Sequence, residues 1–334
     1  MSGMIEARGL VKEYAGGVRA VDGVDFSVAE GEIFGFLGPN GAGKSTTISM
    51  ITTLSTPTSG SVFVDGIDVA RDPGAVRKVI GLVPQDLTSD DDLSGRENML
   101  LQADLYGVPR REAKERADEL LEMIQLHDAA DRLVDTYSGG MRKRLEVIEG
   151  LIHRPKVLFL DEPTLGLDVQ TRKIIWDHIL DMRREHGMTV FLTTHYLEEA
   201  DFLCDRIAII DGGRIKIVGT PDELKTSLGG DKVYIETEGV DDICDALSRL
   251  SGVRSASRDG RTYKIDTEDG DRTIRDVLSA AADNDWHVVN ASLNHPSLTE
   301  VFLEYTGKNV RDQMGDSSKE EVRRQNLQSR RRQK

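Results

Sequence analysis

The sequence predicts an α/β protein: a largely parallel sheet core with an inserted helical subdomain, followed by a small α+β domain of the split βαβ kind. Three observations predict it. Apolar runs such as Ile33-Phe34-Gly35-Phe36-Leu37 and Val157-Leu158-Phe159-Leu160 do not alternate with polar residues, which marks strands covered on both faces and hence a mostly parallel sheet. Between about residues 86 and 150 the pattern turns helical, with Ala113, Ala117, Leu120, Leu121 and Ile124 in one stripe. Beyond about residue 231, strand-type and helix-type segments follow one another as β-α-β-β-α-β.

Taken in order, a first unit runs from about residue 4 to 225. Ile33–Leu37 leads into a glycine-rich turn and a helix over about 43–54, and Thr189–Thr193 is a third buried strand. Thr220-Pro221-Asp222-Glu223 is a capping box with Pro at the first helical position, so a short final helix closes this unit. A linker containing Gly229-Gly230 precedes the second unit, residues 231–307. Its first helix carries Ile243, Ala246, Leu247 and Leu250, and its second Ile274, Val277, Leu278 and Ala281. Tyr263 and Ile265 alternate with charged neighbours as in a half-buried strand, and Tyr263 and Trp286 read as core residues. A last helix starts near Ser297, capped back by Glu300, carries Leu298, Val301, Phe302 and Tyr305 on one face, and stops at Gly307. Residues 308–334 have no apolar period and hold nine Lys or Arg against four Asp or Glu, the composition of a disordered basic tail.

With 334 residues, 38% of them hydrophobic, the chain is long enough for two domains with sizeable cores. No apolar run approaches the ~18 residues that a membrane-spanning helix needs, and Glu6, Arg8, Lys12 and Glu13 interrupt any secretory leader, so the chain is expected in the cytosol. Cys204 and Cys244 form no CxxC pair and read as two buried structural thiols. A net charge of -15 speaks against a nucleic-acid binder, because counterion release demands a basic surface. The Asp-rich acidic excess fits a salty cytoplasm, where a strongly charged surface preserves solubility.

The chemistry is concentrated in one constellation. Gly38-Pro39-Asn40-Gly41-Ala42-Gly43-Lys44-Ser45 lies between a strand and a helix and has the spacing of a phosphate-binding loop. Glycines let backbone N–H groups face the phosphates, and the helix N-terminus adds partial positive charge. Lys44 reaches the β- and γ-phosphates of a nucleotide, Ser45 offers a hydroxyl to Mg²⁺, and Thr46 is a further phosphate contact. Strand Val157–Leu160 delivers Asp161 and Glu162 at its C-terminal end, the side on which open α/β sheets bind ligands. Asp161 suits the metal, and Glu162 is placed to polarise an attacking water. Tyr137-Ser138-Gly139-Gly140-Met141 opens a second helix with an anion-binding turn, so two phosphate grips serve one nucleotide per chain, which suggests dimerisation around ATP.

The motifs from Tyr14 to His195 resemble, in order, those of ABC ATPases, the P-loop NTPases that power ABC transporters. Gly38–Thr46 resembles Walker A, Val157–Glu162 Walker B, and Tyr137–Met141 the signature. The resemblance implies that Tyr14 stacks on adenine, that Gln85 senses the metal and attacking water and faces the transmembrane partner, and that His195 is the switch histidine on the γ-phosphate. It further implies that Leu165-Gly166-Leu167-Asp168 crosses the dimer interface, and that Ser138, Gly139 and Gly140 touch ATP held by the other subunit. Tyr137 and Met141 depart from the usual Leu and Gln, and with Arg142-Lys143-Arg144-Leu145-Glu146 and the ending Leu298–Gly307 they resemble exporters of the daunorubicin-resistance type. The C-terminal unit is then a ferredoxin-like accessory domain. The implied protein is a cytoplasmic ATPase, peripheral on the membrane through a separate permease, that dimerises on two MgATP. The alternative is a soluble ABC ATPase acting on DNA or ribosomes, disfavoured by a single cassette, no sustained heptads and the acidic charge.

Overall fold

The computed structural model describes residues 3–238 and 242–307, and the chain divides into two compact units between Val218 and Gly219. The first unit opens with β1 (Ile5–Tyr14), β2 (Val18–Val28), β3 (Ile33–Leu37), α1 (Lys44–Ile51), β4 (Ser59–Val64), β5 (Ile67–Asp68), α2 (Pro73–Val79) and β6 (Ile80–Val83). Helices α3 (Gly95–Leu105), α4 (Arg110–Met123) and α5 (Gly139–Glu149) form the inserted helical segment. Then come β7 (Val157–Asp161), α6 (Val169–His186), β8 (Thr189–Thr194), α7 (Leu197–Leu203), β9 (Arg206–Asp211) and β10 (Arg214–Gly219). Local chemistry sets the helix starts. Asp72 caps α2 ahead of Pro73, and Ser94 with Glu97 makes a reciprocal capping box on α3.

Two sheets pack in this unit. An antiparallel sheet runs β2-β1-β4-β5, and a second runs β10-β9-β3-β8-β7-β6. In the second, β9, β3, β8, β7 and β6 are mutually parallel, with Leu37 opposite Thr194, Asp161 opposite Thr193 and Val83 opposite Leu160. That register brings the C-terminal ends of four adjacent strands to one edge, from which Gly38, His195, Asp161 and the Pro84-Gln85 segment all depart. Every residue of β3, β7 and β8 is buried, as the unbroken apolar runs of β3 and β7 require, and in β8 the burial takes in Thr189, Thr193 and Thr194. Phe26 of β2 joins the sheets, its ring 5.4 Å from Phe36 and 5.8 Å from Phe191.

The second unit comprises α8 (Pro221–Thr226), β11 (Asp231–Thr237), α9 (Cys244–Leu247), β12 (Val253–Asp259), β13 (Thr262–Thr267), α10 (Gly270–Asp283), β14 (Val288–Asn294) and α11 (Leu298–Thr306). Its sheet runs β12-β13-β11-β14 with every neighbour antiparallel, the order that two interleaved βαβ halves produce. Val233, Ile235, Leu247, Tyr263, Ile265 and Val277 form its core, with Trp286 packed against them.

Five expectations need correction here. Helix α8 does keep its capping box and Pro at the first position, but it groups with the second unit, where it packs on α11, so the boundary falls at Gly219 rather than 225. Leu278 is 45% exposed: the buried face of α10 is centred on Thr273, Val277 and Ala281, and one residue step of about 100° carries Leu278 to its edge. Helix α9 is a single turn, which leaves Leu250 beyond it, and Cys244 is half-buried whereas Cys204 is buried. Ser297 accepts from the Glu300 N–H, but the Glu300 carboxylate turns to Asn294 Nδ2 at 3.3 Å, so the return half of that cap is not made. The basic tail lies outside the described residues.

Candidate functional site

The loop after β3 is shaped by its own backbone. Gly38 N donates to Thr194 O at 3.3 Å, Ala42 N to Pro39 O at 3.1 Å, and Gly213 N to Ala42 O at 3.0 Å. Gly43 has φ +106°, and a Cβ there would lie 2.3 Å from Ala20 O, so the position demands glycine on both counts. Lys44 opens α1 with its side chain only 4% exposed. Its ammonium donates to Gly38 O at 2.8 Å and Pro39 O at 3.3 Å and pairs with Glu162 Oε1 at 3.1 Å. A cation is thereby fixed at the centre of a ring of loop atoms and a helix N-terminus, the arrangement that binds a polyphosphate.

Two acids follow β7. Asp161 Oδ1 accepts from Ser45 Oγ at 3.1 Å and from Thr193 Oγ1. Burial pushes its carboxyl up from the ordinary value, against those two hydrogen bonds and the charge of Lys44. Glu162 stands at φ +50°, a left-handed conformation that is uncommon for a residue with a Cβ, and Thr193 holds it there by accepting the Glu162 N–H on both its carbonyl and its hydroxyl at 3.1 Å. Its Oε2 meets His195 Nδ1 at 2.8 Å. Burial opposes ionisation of Glu162, but the His195 bond and the Lys44 charge outweigh it and hold its pKa below the usual value. Glu162 is thus an ionised carboxylate in a nearly dry place, able to orient a water and accept its proton. Ser45 Oγ and Asp161 supply oxygen donors only, the set that suits Mg²⁺ alongside phosphate oxygens.

Lys44, Ser45, Asp161, Glu162 and His195 are therefore brought together. Other residues singled out in the sequence stand apart from them. Gln85 is exposed in the loop after β6, and no hydrogen bond among the described residues ties it to Ser45 or Asp161. Tyr14, 46% exposed at the end of β1, has the Lys12 ammonium 5.3 Å from its ring centre. Ser138 caps α5, accepting from Met141 N at 3.3 Å. Asp168 caps α6, accepting from Gln170 N and Thr171 N at 3.0 Å and from Thr171 Oγ1 at 2.7 Å. A Cβ on Gly140 would lie 2.5 Å from Thr171 Cγ2, so the Ser138 turn and the Asp168 cap form one surface. Tyr137 is buried, its hydroxyl donating to Ala129 O at 2.7 Å, which anchors that turn from behind. Sequence reasoning missed Thr193, whose hydroxyl bridges both acids; a polar residue ending a buried apolar strand was its only signal.

Among the described residues no helix is long and apolar enough to cross a membrane. Comparison with known proteins agrees with the geometry. The ABC transporter family profile matches residues 21–165, and the profile of the ATP-binding protein DrrA1-3-like C-terminal domain matches residues 219–306. The chain is 43% identical over 326 residues to the daunorubicin/doxorubicin resistance ATP-binding protein DrrA of Streptomyces peucetius, covering 95% of this chain and 96% of that one. It is 37% identical over 313 residues to the linearmycin resistance ATP-binding protein LnrL of Bacillus subtilis, covering 92% and 100% respectively. Among solved structures, the dimeric post-hydrolysis state of the ATP-binding cassette MJ0796 bound to ADP and Pi matches with a TM-score of 0.60 and 28% identity, over 65% of this chain and 98% of that chain. The chain belongs to the ABC transporter family, as an ATP-hydrolysing subunit related to those of drug-resistance exporters.

Proposed function

We propose that two copies of the chain close around two MgATP, that hydrolysis reopens them, and that this cycle drives export through a separately encoded permease at the cytoplasmic face of the membrane. The observation that carries the reading is the buried Lys44–Glu162–His195 chain beside the Ser45–Asp161 pair. In it, the Walker A backbone from Gly38 to Gly43, with Pro39, Asn40, Gly41 and Ala42 between, cradles the phosphates, and Lys44 and Thr46 contact them. Ser45, Asp161 and the incoming Gln85 would hold Mg²⁺, which neutralises phosphate charge when bound. Glu162 orients the attacking water, His195 hands its hydrogen bond from Glu162 to the γ-phosphate, and Tyr14 stacks on adenine.

Dimerisation is supported by the shared surface of the Ser138-Gly139-Gly140 turn and the Asp168 cap, a helix N-terminus the chain's own loop does not use. It is also supported by the dimeric form of the related cassette. For the permease, Leu54, Leu101, Leu105 and Tyr106 are exposed, and Arg77, bonded to Thr53 Oγ1 at 3.0 Å, lies close enough to Tyr106 for its charge to act on the phenol. The daunorubicin/doxorubicin and linearmycin resistance proteins among its relatives support an exported drug as the substrate class.

Glu162→Gln tests the centre of this reading. It should lower kcat at least about 100-fold, while light scattering with MgATP shows a stable dimer. Hydrolysis near the wild-type rate by a variant that stays monomeric with MgATP would refute the role of Glu162.

A further inference from the structure

Three ionisable side chains of α5 are buried although none belongs to the nucleotide site: Lys143, Glu146 and Glu149 are 5%, 2% and 5% exposed. They sit one turn apart on a single face and all point at the segment that carries Gln85. Lys143 Nζ donates to Pro84 O at 2.8 Å and pairs with Glu146 Oε2 at 3.3 Å. Glu146 Oε1 accepts from the Thr88 N–H, and Glu149 Oε1 accepts from Ser89 Oγ at 2.9 Å. The grip thus falls on both sides of Gln85, on the residue before it and on the third and fourth after it. Burying charges is costly, and an apolar face would have packed α5 more cheaply. What these groups provide is a directional attachment to the loop, to the backbone of Pro84 and Thr88 and to the Ser89 hydroxyl. The helix they occupy begins at the Ser138 turn and is one rigid piece of eleven residues.

We propose that Lys143, Glu146 and Glu149 are positioning residues that clasp the Gln85 loop to α5, so that the Ser138 turn and the Gln85 loop move as one body when the dimer closes. Through them, ATP captured by the Ser138 turn of one copy sets the position of Gln85 in that same copy, at its own metal site and at the permease. The inference rests on the proposed dimerisation and goes beyond it by naming the internal link.

Hydrogen exchange on the full chain in the Glu162→Gln background tests it, with and without MgATP. Protection of residues 138–146 reports closure, and protection of residues 84–92 reports the loop. With the clasp intact, both segments should gain at least about tenfold protection together. In a Lys143→Met/Glu146→Met chain, which replaces the pair by apolar side chains of similar length, 138–146 should still respond while 84–92 should not. Ser89→Ala, a change confined to the loop, keeps the experiment open if the double variant fails to fold, and should reduce the loop response severalfold. Equal loop protection in the intact and altered chains overturns the clasp. No response of 138–146 in any chain overturns dimer closure itself, and the clasp with it.

Discussion

At the residue scale, the site is a set of side chains held in conformations they would not adopt alone. Glu162 at φ +50° and Lys44 folded onto its own loop are both fixed by partners that lie far away in sequence, Thr193 and Glu162 respectively. Gly43, Lys44 and Ser45 were legible from the spacing of the glycine-rich loop, and Asp161 and Glu162 from their place at the C-terminal end of a buried strand once that loop was recognised. Thr193 and the buried acids of α5 were not, since a charged residue on an amphipathic helix ordinarily faces water. Glu149 has a measurable consequence. Burial, countered only by the Ser89 bond and reinforced by Glu146, pushes its carboxyl up to about 8 from 4.5. The folded chain then binds this proton more tightly than the unfolded chain. The stabilisation is complete below about pH 4.5 and is lost as the pH rises through about 8. Glu149→Gln keeps an acceptor for Ser89 without a charge to bury. Its melting temperature should match wild type near pH 5 and exceed it at pH 9, by the equivalent of up to about 4 kcal/mol. Parallel pH profiles for the two chains would show that Glu149 is ionised in the fold.

At the element scale, long unbroken strands and well-capped helices were the readable parts, and short or edge features were not. Strands β3 and β7 announced themselves because burial on both faces favours unbroken apolar runs, Ile33–Leu37 and Val157–Leu160. The one-turn α9 and the outward Leu278 escaped because a stripe gives the axis of a helical face but not its width. The place of α8 escaped too, since a capping box marks where a helix starts and not what it packs against. Asp168 illustrates two roles at one position. All its observed bonds serve the start of α6, an 18-residue helix, and it stands beside Thr171, which fills the space left by the missing side chain of Gly140. Asp168→Ala should lower the melting temperature by about 2 to 4 °C through the lost cap. Asp168→Asn keeps the cap and should keep the melting temperature, yet lower kcat about tenfold if the carboxylate also serves the facing subunit, the size of one charge-assisted hydrogen bond. Wild-type turnover by the Asn variant would confine Asp168 to its capping role.

At the scale of the whole molecule, the proposed dimer has the parallel edge supply one half of a catalytic site and the Ser138–Asp168 surface of a second copy supply the other. Hydrolysis per subunit should therefore rise with protein concentration and level off above the dimer dissociation constant. Charge makes this dependence sensitive to salt. Each copy carries a formal net charge of -15, so bringing two together gathers like charge. Screening shortens the reach of that repulsion from ~30 Å at 0.01 M salt to ~8 Å at 0.15 M. At saturating MgATP and protein below the dissociation constant, raising the ionic strength over that range should increase turnover per subunit, and the effect should vanish once the protein is concentrated enough to be fully dimeric. Turnover that instead falls with salt at low protein concentration would mean that opposite charges meet across the interface, and that the acidic excess lies on faces away from it.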